Sequence, residues 1–197
     1  MINDINYNKP KYRQENGYNL IELHLNNVHQ LFNSLDPSPF REKDLDHDAE
    51  SYIVACAKDF HLKAPVKLVI YLPANQLTEA KTFAIPMAIH HYFLESLVSA
   101  DRSLRSLLKI GRVRLVVGLL FLFCSIMASR LLLTLWPSTF TEIFAESLTI
   151  LGWVSMWGPV QIFLYEWLPI WDDCKLFKKL KSMPVEIRPH NGTVIAN

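Results

Sequence analysis

The chain has 197 residues, a formal net charge of +1 and a mean hydropathy of +0.12. Near-neutral charge argues against a general nucleic-acid binder. The cysteines Cys56, Cys124 and Cys174 lie far apart without a CxxC, which excludes a disulfide framework and suits a reducing compartment.

These averages conceal a polarised chain, because the apolar residues gather between 113 and 171 and leave flanks sufficient for one small domain. Residues 1–18 are polar and asparagine-rich, with no hydrophobic period and no apolar h-region. They predict a flexible tail and no cleavable signal peptide. Over 19–25, Ile21, Leu23 and Leu25 alternate with Glu22 and His24, the period of a half-buried strand. Val28, Leu31, Phe32 and Leu35 have the spacing of a short helix, stopped by the turn Asp36-Pro37-Ser38-Pro39.

Tyr52, Ile53, Ala55, Cys56 and Phe60 fall on one side of a helix over about 47–60, with Asp46 or Asp48 as its N-cap. Residues 66–72 are β-rich and apolar on both faces except at Lys67, as a central strand requires. From Pro86, Ile89, Tyr92, Phe93, Leu97, Leu104, Leu107 and Leu108 recur at helical spacing towards the apolar block. No strong breaker intervenes, so the helix is expected to run into that block. Gly111 is its weakest point, at about 1 kcal/mol relative to alanine.

Two stretches, 115–136 and 147–165, would be about 33 and 28 Å long as helices, against a bilayer core of roughly 30 Å. They predict a transmembrane hairpin turned at 137–142. Orientation follows from the cations near the span ends. Arg102, Arg105, Lys109, Arg112 and Arg114 precede the first span, and Lys175, Lys178, Lys179 and Lys181 follow the second. Arg130 is the sole cation between them. Nine against one places both termini in the cytoplasm, at the inner membrane if the source is a Gram-negative bacterium. Arg102, Arg105, Lys109 and Arg112 also share a helical stripe suited to anionic headgroups.

Within the spans, Gly111, Gly118 and Ser125 recur every seven residues, and Ala145, Thr149, Gly152 and Ser155 follow helical spacing. These two small-residue faces are expected to pack as an antiparallel pair. Trp153 and Trp157 lie mid-span beside Gly158-Pro159, which predicts a kink. Gln161 is either hydrogen-bonded within the hairpin or, with the two tryptophans, a partner or oligomer contact. The second helix is expected to end at Leu168-Pro169. Beyond it, Val185 and Ile187 alternate with charges between Pro184 and Pro189, predicting an edge strand that returns to the N-terminal strands in a three-stranded sheet. Asn191-Gly192-Thr193 matches a glycosylation acceptor but falls on the cytoplasmic side and is discounted.

Motifs for chemistry are weak. The run from Asp44 to Asp48 resembles the start of a calcium loop, but Ala49 and Ala55 replace the glycine and the bidentate glutamate such a loop needs. His90 and His91 point about 100° apart on a helix, and His24, His29, His47 and His61 lack ligand spacing. Phosphate-loop, nucleophile-elbow and HExxH patterns are missing. No catalytic residue, metal or cofactor is assigned.

The expected architecture is a flexible tail (1–18), a small cytoplasmic α/β or α+β domain with about three strands and two to three helices (19–112), a transmembrane helical hairpin (113–171) and a C-terminal segment carrying the returning strand (172–197). A continuous helix joins domain and hairpin. The expected role is a non-enzymatic accessory or interaction subunit, in contact with membrane lipids and with a protein partner or a second copy, and without nucleic acid. A homo-oligomeric assembly or pore is the alternative, and a membrane-bound enzyme with an unidentified site is the third.

Overall fold

A computed structural model describes residues 12–39, 43–78 and 84–190. Residues 1–11 of the expected tail and Asn191-Gly192-Thr193 lie outside the described residues. The chain divides into two compact units, the first formed by Met1–Val98 with Cys174–Asn197 and the second by Ser99–Asp173.

The first unit carries a mixed four-stranded sheet in the order β1-β2-β3-β4, with β1 Gln14–Glu15, β2 Tyr18–His24, β3 Val66–Pro73 and β4 Val185–His190. Strands β2, β3 and β4 run parallel, and β1 is antiparallel to β2. The expected tail is overturned at its end, because Gln14 pairs with Asn19 and Glu15 with Tyr18 around a two-residue turn. Asn16 (φ 52°) and Gly17 (φ 81°) both adopt left-handed backbone. An Asn-Gly pair suits that turn, whose twist matches its flanking strands.

The expected edge strand returns to the sheet and pairs with β3; the sheet has four strands and not three because β1 is added. β2 already has β1 on its outer side, and the doubly apolar β3 needs a neighbour on each edge. The helix expected near 28–35 is a single 3-10 turn, Val28–Leu31. Asn27 accepts from the His29 amide, and Gln30 accepts from the amides of Asn26 and Asn27. This capping box starts the element, and the extended backbone of Phe32 (φ −116°, ψ 145°) ends it after one turn. Helix α1, His47–Lys58, is capped by Asp46, which accepts from the Asp48 amide at 3.0 Å.

Side chains alternate across a strand. Ile21 on β2 and Val66, Leu68, Ile70 and Leu72 on β3 form one core with Ile53 and Ala57 of α1. The core is completed by Ile85, Ile89 and Phe93, which open helix α2 (Ile85–Leu135), and by Leu176 and Leu180. His90 Nε2 and the Met183 carbonyl oxygen are 2.8 Å apart, so that ring nitrogen carries the proton and donates. The opposite face of the sheet carries a different set of residues, described below.

The second unit contains most of α2, helix α3 (Thr139–Ser155), the short α4 (Trp157–Gln161) and a π-helical turn, Ile162–Glu166. It also holds the start of α5, Trp167–Leu180. Two helical stretches, Ile85–Leu135 (51 residues) and Thr139–Leu180 (42 residues), are long and apolar enough to cross a membrane. Most large apolar side chains here face outward, including Phe123, Phe144, Trp153 and Trp157.

The helices approach through small residues. A Cβ on Gly118 would lie 3.1 Å from the Ser155 carbonyl oxygen, one on Gly152 3.0 Å from Leu122 and 3.1 Å from Ser125, and one on Gly111 2.9 Å from Ile162. Ser155 Oγ donates to the Gly118 carbonyl at 3.2 Å, and Thr149 Oγ1 lies 3.3 Å from Ser129 Oγ. The Ser155 carbonyl is four residues before Pro159, which has no amide hydrogen to offer it. The helix breaks at Met156, and that carbonyl turns to face Gly118. The helix end expected at Leu168-Pro169 is also overturned. The wide turn Ile162–Glu166 opens the ladder just before Pro169, and α5 continues through it.

Two outcomes follow from these contacts. Gly17→Val forces a β-branched residue into left-handed backbone and destabilises the sheet unit by about 1–2 kcal/mol; a denaturant titration of wild type and variant checks it. Gly118→Val drives side-chain atoms into the Ser155 carbonyl and weakens the helix pair by about 1–3 kcal/mol. The midpoint of unfolding in a detergent titration, followed by tryptophan fluorescence, reads that loss.

Candidate functional site: the polar face of the sheet

The face of the sheet turned away from the helical core is lined by Leu20, Glu22 and His24 of β2, Lys67, Val69 and Tyr71 of β3, and Glu186, Arg188 and His190 of β4. The parallel register sets Glu22, Val69 and Glu186 in one row and His24, Tyr71 and Arg188 in the next. Leu20 and Val69 are fully buried although the helical core excludes them.

Arg188 lies across this face. Its two terminal nitrogens donate to the Glu15 carboxylate at 2.9 and 2.8 Å, while Nε and Nη2 donate to Glu186 at 2.8 and 3.1 Å. Lys67 adds an ion pair to Glu186. β1 and β4 are opposite edges of the sheet, separated by three strand spacings of about 4.8 Å each. The fork-to-carboxylate bridge therefore ties edge to edge above Leu20 and Val69, with the directional strength of a bidentate pair.

Further along the strands, Tyr71 donates to Glu22 Oε1 at 2.8 Å, and His24 stacks on Tyr71 with ring centroids 4.5 Å apart and planes 10° apart. His190 meets His24 edge-on at 5.5 Å. Two histidines and a tyrosine thus rim the carboxyl ends of the three parallel strands. Burial, then the hydrogen bond to Glu22, raises the Tyr71 phenol above its ordinary range.

Glu22 also borders a hollow of about 340 Å³ beside α1, lined by Tyr12, Leu20, Tyr52, Ala55, Cys56 and Asp59. Tyr12 donates to Asp59 Oδ2 at 2.6 Å, and Tyr52 donates to the Glu22 carbonyl at 3.2 Å. Chemically, the surface offers carboxylates, phenols and imidazoles over an apolar floor. No three His, Cys, Asp or Glu among the described residues come together to hold a metal ion.

The residues singled out in the sequence lie elsewhere, in the second unit. Arg102, Arg105, Lys109 and Arg112 are exposed on α2, with Arg105 paired to Asp101 at 2.6 Å. At 1.5 Å per residue they stand about 20, 15, 9 and 4.5 Å before Leu115. Gly118, Ser125, Thr149, Gly152 and Ser155 all lie between the paired helices as described above. Trp153, Trp157 and Gln161 are exposed, and the Gln161 side chain has no hydrogen-bond partner among the described residues. Its level is also shallower than its sequence position suggests. The pairing that sets Gly111 against Ile162 and Phe163 brings Gln161 level with Arg112, at the basic end of the helix pair. Sequence reasoning missed the Arg188 bridge, because its partner Glu15 is 173 positions away and sits in the presumed tail.

Comparison with protein-family models, curated proteins and solved structures finds no match to this chain.

The bridge gives the sheet an acid limit. The hydrogen bonds from Arg188, then Lys67, hold the Glu186 carboxyl at about 2 against an ordinary 4.5, and Arg188 likewise lowers Glu15. A carboxylate depressed on folding stabilises above its unfolded value, and that contribution is lost as pH falls through the folded one. The stability of the sheet unit is therefore flat above about pH 5 and falls between 4.5 and 2. Glu186→Gln flattens this acid limb; denaturation midpoints across pH 2–7 for both chains test it.

Proposed function

We propose that the chain is an integral membrane protein with both flanks cytoplasmic, an accessory or interaction subunit that presents its small sheet unit at the membrane surface through the polar face and the adjoining hollow. The observation that carries this reading is the pairing of β3 with β4. Both long apolar helices lie in the connection between those two strands. Strands in one sheet share one aqueous compartment, so the connection must cross the bilayer an even number of times. Two long apolar helices satisfy that condition, and the excess of cations at their flanked ends selects the cytoplasmic side.

The same assignment puts Lys109 and Arg112 at headgroup level. The polar layer is only about 5–8 Å thick on each side of the hydrocarbon. Arg102 and Arg105 reach it only if α2 tilts. The tryptophans Trp167 and Trp171, with rings 5.6 Å apart, suit an interfacial belt.

A polar, aromatic-rimmed sheet face beside a hollow is a docking surface with an anchor point, the arrangement in which a few residues dominate binding. The test pairs topology with capture. Reporters fused at either terminus are expected on the cytoplasmic side and one inserted at Ser138 on the other. A stoichiometric protein is expected to co-purify from native membranes with wild type and to fall away with Glu22→Arg. A terminal reporter outside, or identical co-purification by both chains, overturns the corresponding half of the proposal.

A further inference from the structure

At the tip of the helix pair, a groove of about 350 Å³ opens between α2 and α3, lined among others by Ser129, Leu133, Glu142, Ala145, Glu146 and Thr149. Its hydroxyls are satisfied: Thr149 Oγ1 lies 3.3 Å from Ser129 Oγ and donates to the Ala145 carbonyl at 3.0 Å. Its carboxylates are not. Glu142 and Glu146, one turn apart on α3 and mutually repulsive, have no side-chain partner among the described residues. Arg130 follows Ser129 by one residue, so it projects about 100° away from the groove. It too is exposed and without an ion-pair partner among the described residues.

These charges share a depth. Arg130 lies about 7.5 Å back from the end of α2, and Glu142 and Glu146 lie about 4.5 and 10.5 Å in from the start of α3. Cation and carboxylates thus stand level on different sides of one hairpin, near its tip, each without a counter-charge among the described residues. Where the spans meet the interface, water is depleted and a counter-charge on a neighbouring helix is favourable.

We infer that the occupant of this groove is a second copy of the chain, whose Arg130 inserts between Glu142 and Glu146. The inference rests on the membrane-spanning reading, because a bilayer holds every copy in one orientation. Arg130 of one copy then meets the acidic groove of its neighbour at matching depth by lateral movement alone. The contact joins two different faces, so it is heterologous and propagates to a ring or a chain. Small outward side chains are not required. The specificity is carried by charge.

The full-length chain, expressed with two different epitope tags in one membrane, tests this. Every variant is first washed with alkaline carbonate. Wild-type copies are expected to co-purify in mild detergent, and Arg130→Glu alone or Glu146→Arg alone to reduce that recovery about tenfold. The Arg130→Glu chain carries like charges on both faces, and in the Glu146→Arg chain the reversed residue cancels Glu142 and leaves the groove without net negative charge. Co-expressing the Arg130→Glu chain with the Glu146→Arg chain restores complementarity, and recovery of the mixed pair is expected to return. If a reversal prevents accumulation, Arg130→Gln and Glu146→Gln give the same readout as weakened association. Release of wild type by carbonate overturns the membrane reading and this inference with it. Retention without co-purification, single variants that associate like wild type, or a mixed pair that fails to recover overturns the inference alone.

Discussion

A parallel pair of strands cannot be joined by a tight turn; the chain must travel back to the end from which it started. Here that return journey, between β3 and β4, contains both long apolar helices. The sheet therefore imposes a rule on the helices: whatever β3 leaves, β4 must re-enter on the same side. The kink at Pro159, the small residues at the helix contact and the wide turn before Pro169 all serve a path that goes out and comes back. Arg188 then secures its end, reaching from the last strand to the first with a bidentate grip on Glu15.

Parallel sheets are normally covered on both faces. This one is covered by helices on one face and by an ionic lattice on the other. The lattice shields Leu20 and Val69, which explains why two fully buried side chains sit outside the helical core. It also leaves its outer surface polar and soluble, and rims it with imidazole and phenol rings at the strand ends. A face of this kind withstands exposure to water and retains groups with which to recognise another molecule.

Much of the fold was legible because its signals are local. The alternation at Ile21 and Leu23, the apolar run of β3, the Asp46 cap and the helical spacing of apolar residues along α2 each reside within a few turns of chain. Other features were written in residues that propensity alone does not decode. Asn16-Gly17 is a strong hairpin signal, yet its outer strand has two residues and no alternation to announce it. The choice of β3 as partner for β4 depends on which strand has a free edge, a property of the assembled sheet. Arg188 looks like any charged residue of an edge strand until Glu15 is brought beside it. The depth of Gln161 is set by the register of two helices, which follows from where Gly111 and Gly118 allow close approach.

The order of strands has a consequence for synthesis. β3 is finished long before its neighbour β4 is made, since the whole helix pair must be translated in between. At ribosomal rates of about 5–20 residues per second, that interval is roughly 5–20 s. Throughout it, the most apolar strand of the sheet has one unpaired edge, the condition that invites strand addition from other chains. In the proposed membrane topology, insertion of the helix pair occupies the same interval. A nascent chain that stalls at its second span remains open at β3, and is marked as incomplete by the missing strand itself.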